Sequence, residues 1–375
     1  MHFAIQGRPS ILPKPAQYST ISDQQVTILK SQRNTQLKSG FTGYWSAKFP
    51  ESITPTPRKD AFCVNVPELD GFFIGYGITE NKGLCDDVWF YNLKTNKWNR
   101  LNLTGDVVSP RTGTKAVFIA NNIILFGGFC NNEYYSDLHR IDITTGVVSR
   151  IETTGEEPCP RCHCVMTLFD KSIVIWGGNT ENVCHGDLYK LSLETFEWTK
   201  VTSNVPGRTG VPYCVSRNKI FAYGGNKTGL IVIDLENDTV EVRDTIGCNP
   251  DMTVMSGNMV STDKFVFLFG GQKIEKEVYD LVYCLDLDKM WWFIFFLSPD
   301  GTTTSPEDGY IDKLGLFNIP NAYGCNYLYN EKEREIVYCL GYPSSDPPNV
   351  HTISISEALG FLHMRDDMLD ILRHK

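Results

Sequence analysis

A doubled glycine that recurs at a nearly constant spacing is the feature that most constrains how this chain can fold. The pairs stand at Gly127-Gly128, Gly177-Gly178, Gly224-Gly225 and Gly270-Gly271. Each pair ends an apolar run of strand-forming residues, such as Ile-Val-Ile-Trp before Gly177. A self-similar period of this length, built from short strands, predicts a β-propeller in which each repeat forms one four-stranded blade.

Two degenerate copies extend the array at its ends. Residues 72–77 carry the apolar run and single glycines in place of the pair, and Leu340-Gly341 replaces the pair in the last unit. The step from Gly271 to Gly341 is longer than every step between the doubled glycines, which predicts an insertion over residues 298–320. A loop of that length in a compact domain is usually functional or disordered.

Other residue types keep a constant place within the repeat. In three units an arginine precedes the first glycine at the same interval: Arg111, Arg161 and Arg208. An aspartate follows the glycines in the first three units: Asp87, Asp137 and Asp187. Trp98 and Trp198 follow two of these aspartates at one interval. Val148 takes the tryptophan position in the unit between, and Gly229 and Val240 replace the aspartate and the tryptophan in the fourth unit. We expect each tryptophan to be buried at the interface with the next blade.

The apolar run, the doubled glycine and the downstream tryptophan together resemble the kelch-repeat family, over roughly residues 41–355. In size and layout the chain is similar to stand-alone kelch proteins of the Rab9-effector type. The resemblance implies an all-β, six-bladed propeller that acts as a protein-interaction scaffold or adaptor. It also implies that the glycine pairs and the tryptophans are structural residues of the repeat.

The N-terminal end of the array is expected to close the ring. The interval from Trp45 to Arg58 equals that from Trp98 to Arg111, so the segment 43–49 has the character of a fourth strand. The last unit, from Asn321 to about Ile355, has three strands and lacks a fourth. The N-terminal strand should therefore complete the C-terminal blade, which removes an open edge. The five blades before it are expected at residues 58–103, 111–152, 161–202, 208–244 and 252–297.

The two ends of the chain differ from the repeats. Residues 1–40 are rich in Pro, Ser, Gln and Thr and are expected to form a flexible tail. Residues 356–375 place Leu362, Leu369 and Leu372 at helical spacings, with Ser356 as a suitable N-cap, and predict a C-terminal helix. This helix could pack on the propeller or dock on another protein.

Composition restricts the partners and the compartment. A net charge of −9 argues against a nucleic-acid backbone as partner. The sequence contains no run of about 18 apolar residues, so we expect no membrane span. The N-terminus lacks the pattern of a secretion signal, and the twelve cysteines do not have the spacing of a disulfide framework. We therefore expect reduced thiols and a cytoplasmic location.

The predicted partner site is the rim formed by the loops that precede the first strands and those that join the second and third strands. One arginine per blade falls on this rim: Arg58, Arg111, Arg161 and Arg208. A ring of guanidinium groups suits an acidic or phosphorylated segment of another protein. The alternative is that these arginines hold the loops in place through backbone hydrogen bonds.

Cysteine and histidine side chains also gather in these loops and are weak candidates for a metal site: Cys159, Cys162, His163, Cys164, Cys184 and His185, with Cys85 and Cys130 in matching loops. Their spacing is not a standard zinc pattern, so we expect no metal and no cofactor. No phosphate-binding loop, nucleophile elbow or zinc-protease motif occurs. The alternative to a binding module is an enzyme with a metal or small-molecule site on the rim or in the central channel.

Overall fold

The computed structural model of the chain describes residues 42–355 except 202, 226–228, 251–255, 263, 272–281, 302–303, 305–307, 312–316, 320–321, 343 and 346. The predicted flexible tail, the C-terminal helix and much of the 298–320 insertion lie outside the described residues. The described part is all β apart from one short 3-10 turn at Pro67–Leu69.

Six antiparallel four-stranded sheets follow one another along the chain. The strands of the first three blades are Phe62–Val66, Gly71–Gly75, Val88–Asn92 and Lys97–Leu101; Lys115–Ile119, Asn122–Cys130, Glu133–Asp142 and Val147–Ile151; and Val165–Phe169, Ser172–Trp176, Leu188–Ser192 and Glu197–Val201. Those of the fourth and fifth blades are Tyr213–Ser216, Lys219–Tyr223, Leu230–Asp234 and Thr239–Arg243, and Asn258–Ser261, Phe265–Phe269, Val282–Asp286 and Trp291–Pro299. The sixth blade consists of Asn326–Asn330, Glu335–Cys339, Val350–Ser354 and the N-terminal strand Thr42–Lys48.

The closure of the ring by the N-terminal strand is confirmed. Thr42–Lys48 pairs antiparallel with Val350–Ser354, and Trp45 stands opposite Ile353. In blade 1 Trp98 stands opposite Tyr91, and in blade 3 Trp198 stands opposite Leu191, which is the same place in the register. The chain therefore forms a six-bladed β-propeller in which the first strand of the sequence is the last strand of the sixth blade.

The first strands of the blades surround the central axis. Those of blades 1, 2 and 3 contact one another in sequence, those of blades 4, 5 and 6 do the same, and the first strand of blade 6 contacts that of blade 1. The second strands are apolar throughout because neighbouring blades cover both of their faces: Ile173, Val174, Ile175 and Trp176 are all fully buried. Fourth strands lie at the periphery, and in blade 3 only Trp198 of that strand is buried.

The tryptophans of the repeat pack toward the preceding blade, which corrects the expectation that they would face the next one. The Trp198 ring lies 6.0 Å from that of Phe126 in blade 2, and Trp98 belongs to the cluster that joins blade 1 to blade 6. Blade 5 has an equivalent that the repeat pattern missed: Trp292 stands opposite Leu285 and lies 5.2 Å from Tyr223 of blade 4.

The doubled glycines follow the second strands or, in blade 2, interrupt the pairing of a longer strand, and they have positive φ, 108° for Gly128 and 86° for Gly178. A Cβ at Gly128 would lie 2.4 Å from Thr114 Oγ1, and one at Gly178 would lie 2.7 Å from the carbonyl of Cys162. The close approach of loop backbones as well as the left-handed conformation therefore requires glycine here. In the degenerate copies Tyr76 and Leu340 hold the first glycine position, both at φ 61°.

Candidate functional site

The four arginines of the rim are buried, with exposed fractions of 0 to 3%. The Arg161 guanidinium donates to the carbonyl of Gly177 at 3.0 Å and to the carboxylate of Asp187 at 2.8 Å. Arg111 makes the same two contacts, to Gly127 at 3.2 Å and Asp137 at 2.7 Å. Each arginine thus links the loop before the first strand to both ends of the loop between the second and third strands.

The first and fourth blades vary this clamp. Arg58 donates to the carbonyl of Tyr76 and to Asp87. In blade 4 the carbonyl of Gly229 accepts from Arg208 at 2.8 Å, in the position that an aspartate carboxylate occupies in the other blades. A backbone oxygen thus replaces the aspartate that the fourth repeat lacks.

The charges of the clamp depend on each other. Burial acts to raise the pKa of the Asp187 carboxyl, but the hydrogen bond and the charge of Arg161 outweigh it and hold that pKa below its ordinary value. Burial lowers the pKa of Arg208. Because these guanidinium groups are buried and bonded to carbonyl and carboxylate oxygens, their surroundings agree with the alternative that the arginines hold the rim loops in place. Their direct contact with a partner stays a prediction.

The clamps also join neighbouring blades through the backbone. The N–H of Gly128 donates to the carbonyl of Arg161 at 3.0 Å, and the N–H of Gly178 donates to that of Arg208 at 2.9 Å. Each arginine therefore holds its own blade with its side chain and the preceding blade with its carbonyl. The rim loops form one continuous frame.

A ring of six residues, one from each blade, lies at the rim end of the channel, where the chain enters each first strand. All six have positive φ between 51° and 68°, and we call them the axial ring: Asp60, Gly113, His163, Gly210, Ser256 and Gly324. Five backbone hydrogen bonds of 2.9 to 3.3 Å link them in this order, each N–H donating to the carbonyl of the preceding member. The axial ring narrows the channel mouth and brings polar side chains from distant parts of the sequence close to the axis.

The side chains at the channel mouth are charged or polar. Ser256 Oγ donates to Asp60 Oδ1 at 3.5 Å, across the ring. Two lysines flank the mouth: Lys59 Nζ lies 5.3 Å from the centre of the Tyr323 ring, and Lys115 Nζ lies 5.8 Å from that of Tyr213. No local motif marks Asp60, Ser256, Lys59 or Lys115, so the sequence did not identify them as site residues; of the residues at the mouth it singled out only His163.

His163 occupies the blade 3 position of the axial ring. Its imidazole packs against Gly113, where an added Cβ would lie 2.9 Å from the ring. Burial lowers the pKa of His163, Asp60 acts in the opposite direction, and Lys115 and Lys59 lower it further. The imidazole is therefore neutral at pH 7, and Lys59 and Lys115 provide the positive charge at the mouth.

The cysteine and histidine candidates do not come together as a metal site. Within the described ranges no group of three or more His, Cys, Asp or Glu side chains is placed to hold a metal ion. Cys159 Sγ lies 3.6 Å from His185 Nε2 and accepts from Arg161 at 3.1 Å, while Cys162 donates to Asn179. Cys164 is buried in the core between blades 2 and 3, and His163 lies in the axial ring. Cys184 lies in the short hairpin of blade 3, and all twelve cysteines of the chain are thiols.

A groove of about 410 Å³ lies on the opposite face, between the turns of blades 1 and 6. Asp70 pairs there with Lys332 and Lys94, and both lower its pKa, Lys332 through the stronger hydrogen bond. Its lysines and acidic residues largely neutralise one another, which distinguishes this groove from the channel mouth. No helix among the described residues is long and apolar enough to cross a membrane.

Comparisons with known proteins agree with this architecture. The family model of the KLHDC2/KLHL20/DRC7 Kelch-repeats domain matches residues 39–225. The chain is 36% identical over 62 residues to tip elongation aberrant protein 3 of Schizosaccharomyces pombe, a match over 16% of this chain and 5% of that protein. It is 28% identical over 108 residues to Kelch domain-containing protein 2 of Bos taurus, over 27% of this chain and 26% of the relative. It is 30% identical over 112 residues to host cell factor of Drosophila melanogaster, over 29% of this chain and 7% of that protein.

The chain thus spans about a quarter or less of the length of these relatives. Similarity to kelch proteins of the Rab9-effector type stays an expectation from the sequence. The matched region begins just before the N-terminal strand and ends at the doubled glycine of blade 4. It includes the arginine clamps of blades 1 to 3 in full, and Arg208 but not Gly229 of the clamp in blade 4. On its repeats, its six-bladed ring and this match, the chain belongs to the kelch-repeat family of β-propellers.

Proposed function

We propose that this protein is a non-catalytic interaction scaffold that binds an acidic or phosphorylated segment of a partner protein at the rim, over the axial ring. One observation carries the proposal: Lys59 and Lys115 flank the channel mouth. They stand on a frame in which five backbone hydrogen bonds join the members of the axial ring. A rigid frame with convergent cations lowers the entropy cost of ordering the site when it binds an anionic segment.

The arginine clamps contribute to this function by holding the frame. Arg58, Arg111 and Arg161 are paired with aspartates, so their charges are largely compensated within the rim loops. The two lysines lie against aromatic rings and keep their ammonium groups available to an anionic ligand. The Asp60 carboxylate repels such a ligand from its own side of the channel mouth. On a chain of net charge −9 this attraction is local, and it should weaken as salt is added.

The test uses fluorescently labelled peptides from one random library, prepared with serine, with phosphoserine and with glutamate at the central position. We expect the two anionic forms to bind more tightly than the serine form, and binding to fall with ionic strength. The double variant Lys59→Glu with Lys115→Glu should lose this preference. Lys97→Glu with Lys171→Glu, the same charge change at exposed sites on the opposite face, should keep it. Equal affinity for all three peptide forms, or an equal loss in both double variants, would contradict the proposal.

A further inference from the structure

The fourth strands of five blades are flanked by a further segment of the chain. In blades 2, 3 and 5 this segment is a two-residue strand that pairs parallel with the start of the fourth strand: Thr104–Gly105, Thr154–Gly155 and Ile246–Gly247. In the last blade the segment 296–299 pairs with Thr42–Trp45. In blade 1 Ser52 Oγ accepts from the N–H of Trp98 at 2.7 Å.

Blade 4 differs from the others. Its fourth strand, Thr239–Arg243, pairs with Leu230–Asp234, and no segment within the described ranges pairs with its other side. The reason lies in the linker that enters blade 4. The interval from Val201 to Arg208 is shorter than those from Leu101 to Arg111 and from Ile151 to Arg161, and the shorter linker lacks the Thr-Gly dipeptide.

The uncovered edge is solvent-accessible and partly apolar. Val242 is 50% exposed, and Thr239, Glu241 and Arg243 are exposed as well. In the covered blades the carbonyl at the tryptophan position points outward, as the bond of 3.0 Å from the N–H of Glu156 to the carbonyl of Trp198 shows. Val240 holds that position in blade 4, so the backbone groups of Val240 and Val242 face outward by the alternation of a strand. Such an edge is a template for pairing with another strand.

We propose that this edge pairs antiparallel with the same edge of a second copy of the chain, around Val242. In that register Val242 stands opposite Val242 of the other copy, and Glu241 stands opposite Arg243 in both directions. Within one chain Glu241 Oε1 and Arg243 Nη2 lie 2.5 Å apart on the same face, and each side chain is about half exposed. In the dimer each of the two can therefore pair with the opposite charge of the other copy across a two-fold axis. A parallel in-register pairing would set Glu241 against Glu241, which is unfavourable.

The experiment is sedimentation velocity on the full chain over a dilution series. We expect a reversible dimer. Glu241→Arg alone and Arg243→Glu alone should each raise the dissociation constant by about tenfold or more, because each sets like charges opposite one another. The double variant carrying both changes restores opposite charges and should restore the dimer. The double change also restores the ion pair within one chain, so circular dichroism melting of each single variant is measured to show that the loss of the dimer occurs in a folded chain.

The matched control is Arg150→Glu. Arg150 and Glu152 form the same kind of exposed pair two residues apart, at 3.4 Å, at the end of the fourth strand of blade 2, whose start pairs with Thr104–Gly105. This variant should dimerise like the unmodified chain. A chain that is monomeric at every concentration, as it would be if the edge bound an extended segment of a different protein, overturns the proposal, and so does a double variant that fails to recover the dimer.

Discussion

The N–H of Gly341 donates a hydrogen bond of 2.9 Å to the carbonyl of Arg58, which joins the last blade to the first. The same bond joins Gly77 to Arg111, Gly128 to Arg161 and Gly178 to Arg208, at 2.9 to 3.0 Å. The junction at which the ring closes therefore has the same backbone geometry as the junctions between blades that are consecutive in sequence. Closure depends on the N-terminal strand, because this strand completes the blade that carries Gly341.

Deletion of residues 1–49 should unfold the propeller or lower its melting temperature strongly. It removes the strand that pairs with Val350–Ser354, together with Trp45, which is fully buried in the cluster between blades 5 and 6. Deletion of residues 1–38 leaves the strand intact and should melt like the full chain. Circular dichroism melting of both variants checks this, and equal melting of the 1–49 deletion and the full chain would show that closure does not depend on the strand.

Trp198→Ala should lower the free energy of unfolding by about 3–5 kcal/mol, because it opens a cavity between blades 2 and 3. Trp198 is 3% exposed and packs edge-on against Phe126 and Tyr189. The neighbouring exposed residue supplies the control: Thr199→Ala should change stability by a few tenths of a kcal/mol. Urea denaturation of the three proteins measures the difference, and similar midpoints for Trp198→Ala and Thr199→Ala would contradict the cavity argument.

Arg161→Ala should destabilise the fold by about 3 kcal/mol or more, because it leaves Asp187 and the carbonyl of Gly177 without their buried donor. Arg150→Ala removes an arginine that is 61% exposed and should have little effect. Thermal melting of the two variants and the unmodified chain gives the comparison.

Once a partner peptide is identified, its affinity is measured on Arg111→Ala and Arg161→Ala as well. Lowered affinity with unchanged melting would assign these arginines to direct binding instead.

His351 should make the fold less stable as the pH falls from 6.5 toward 4. Burial lowers the pKa of His351 to about 4 from an ordinary 6.5, with Asp308 acting in the opposite direction. Between these values the unfolded chain binds a proton that the folded chain does not, so the loss reaches about 3 kcal/mol at the lower pH. Stability from this group is complete above pH 6.5, and the loss ceases to grow below pH 4.

The variant His351→Phe isolates this contribution, because phenylalanine keeps the ring that stacks on Tyr338 at 4.7 Å and cannot titrate. Urea denaturation at several pH values between 4 and 7 should show a shallower fall in stability for the variant. Asp87 and Asp187, whose pKa values are lowered, contribute to acid unfolding in both proteins and cancel in the comparison. Parallel curves for the two proteins would show that His351 is not the titrating group.

Sequence alone predicted the blades and their closure, because both are expressed at a fixed spacing along the chain. Doubled glycines recur once per blade at the end of the apolar run of the second strand, and the interval from Trp45 to Arg58 equals that from Trp98 to Arg111. Trp292 escaped the pattern since it stands in an aromatic run, and only its pairing opposite Leu285 identifies its position. The shorter linker before Arg208 is visible in the sequence as well. That it leaves the edge of Thr239–Arg243 uncovered follows only from the fold, which shows that the linker entering a blade covers the fourth strand of that blade.

The tertiary structure alone decided the surroundings of the rim residues. Spacing located Arg111 and Arg161, but their burial follows from aspartates and glycine carbonyls that reach them only when the blade is folded. The axial ring has no common residue type, since Asp60, His163 and Ser256 share its left-handed conformation with three glycines. That conformation is imposed by hydrogen bonds between loops of neighbouring blades, which no local pattern of side chains encodes. Local periodicity therefore determined the number and order of the blades, and contacts between distant loops determined which side chains the rim buries and which it exposes.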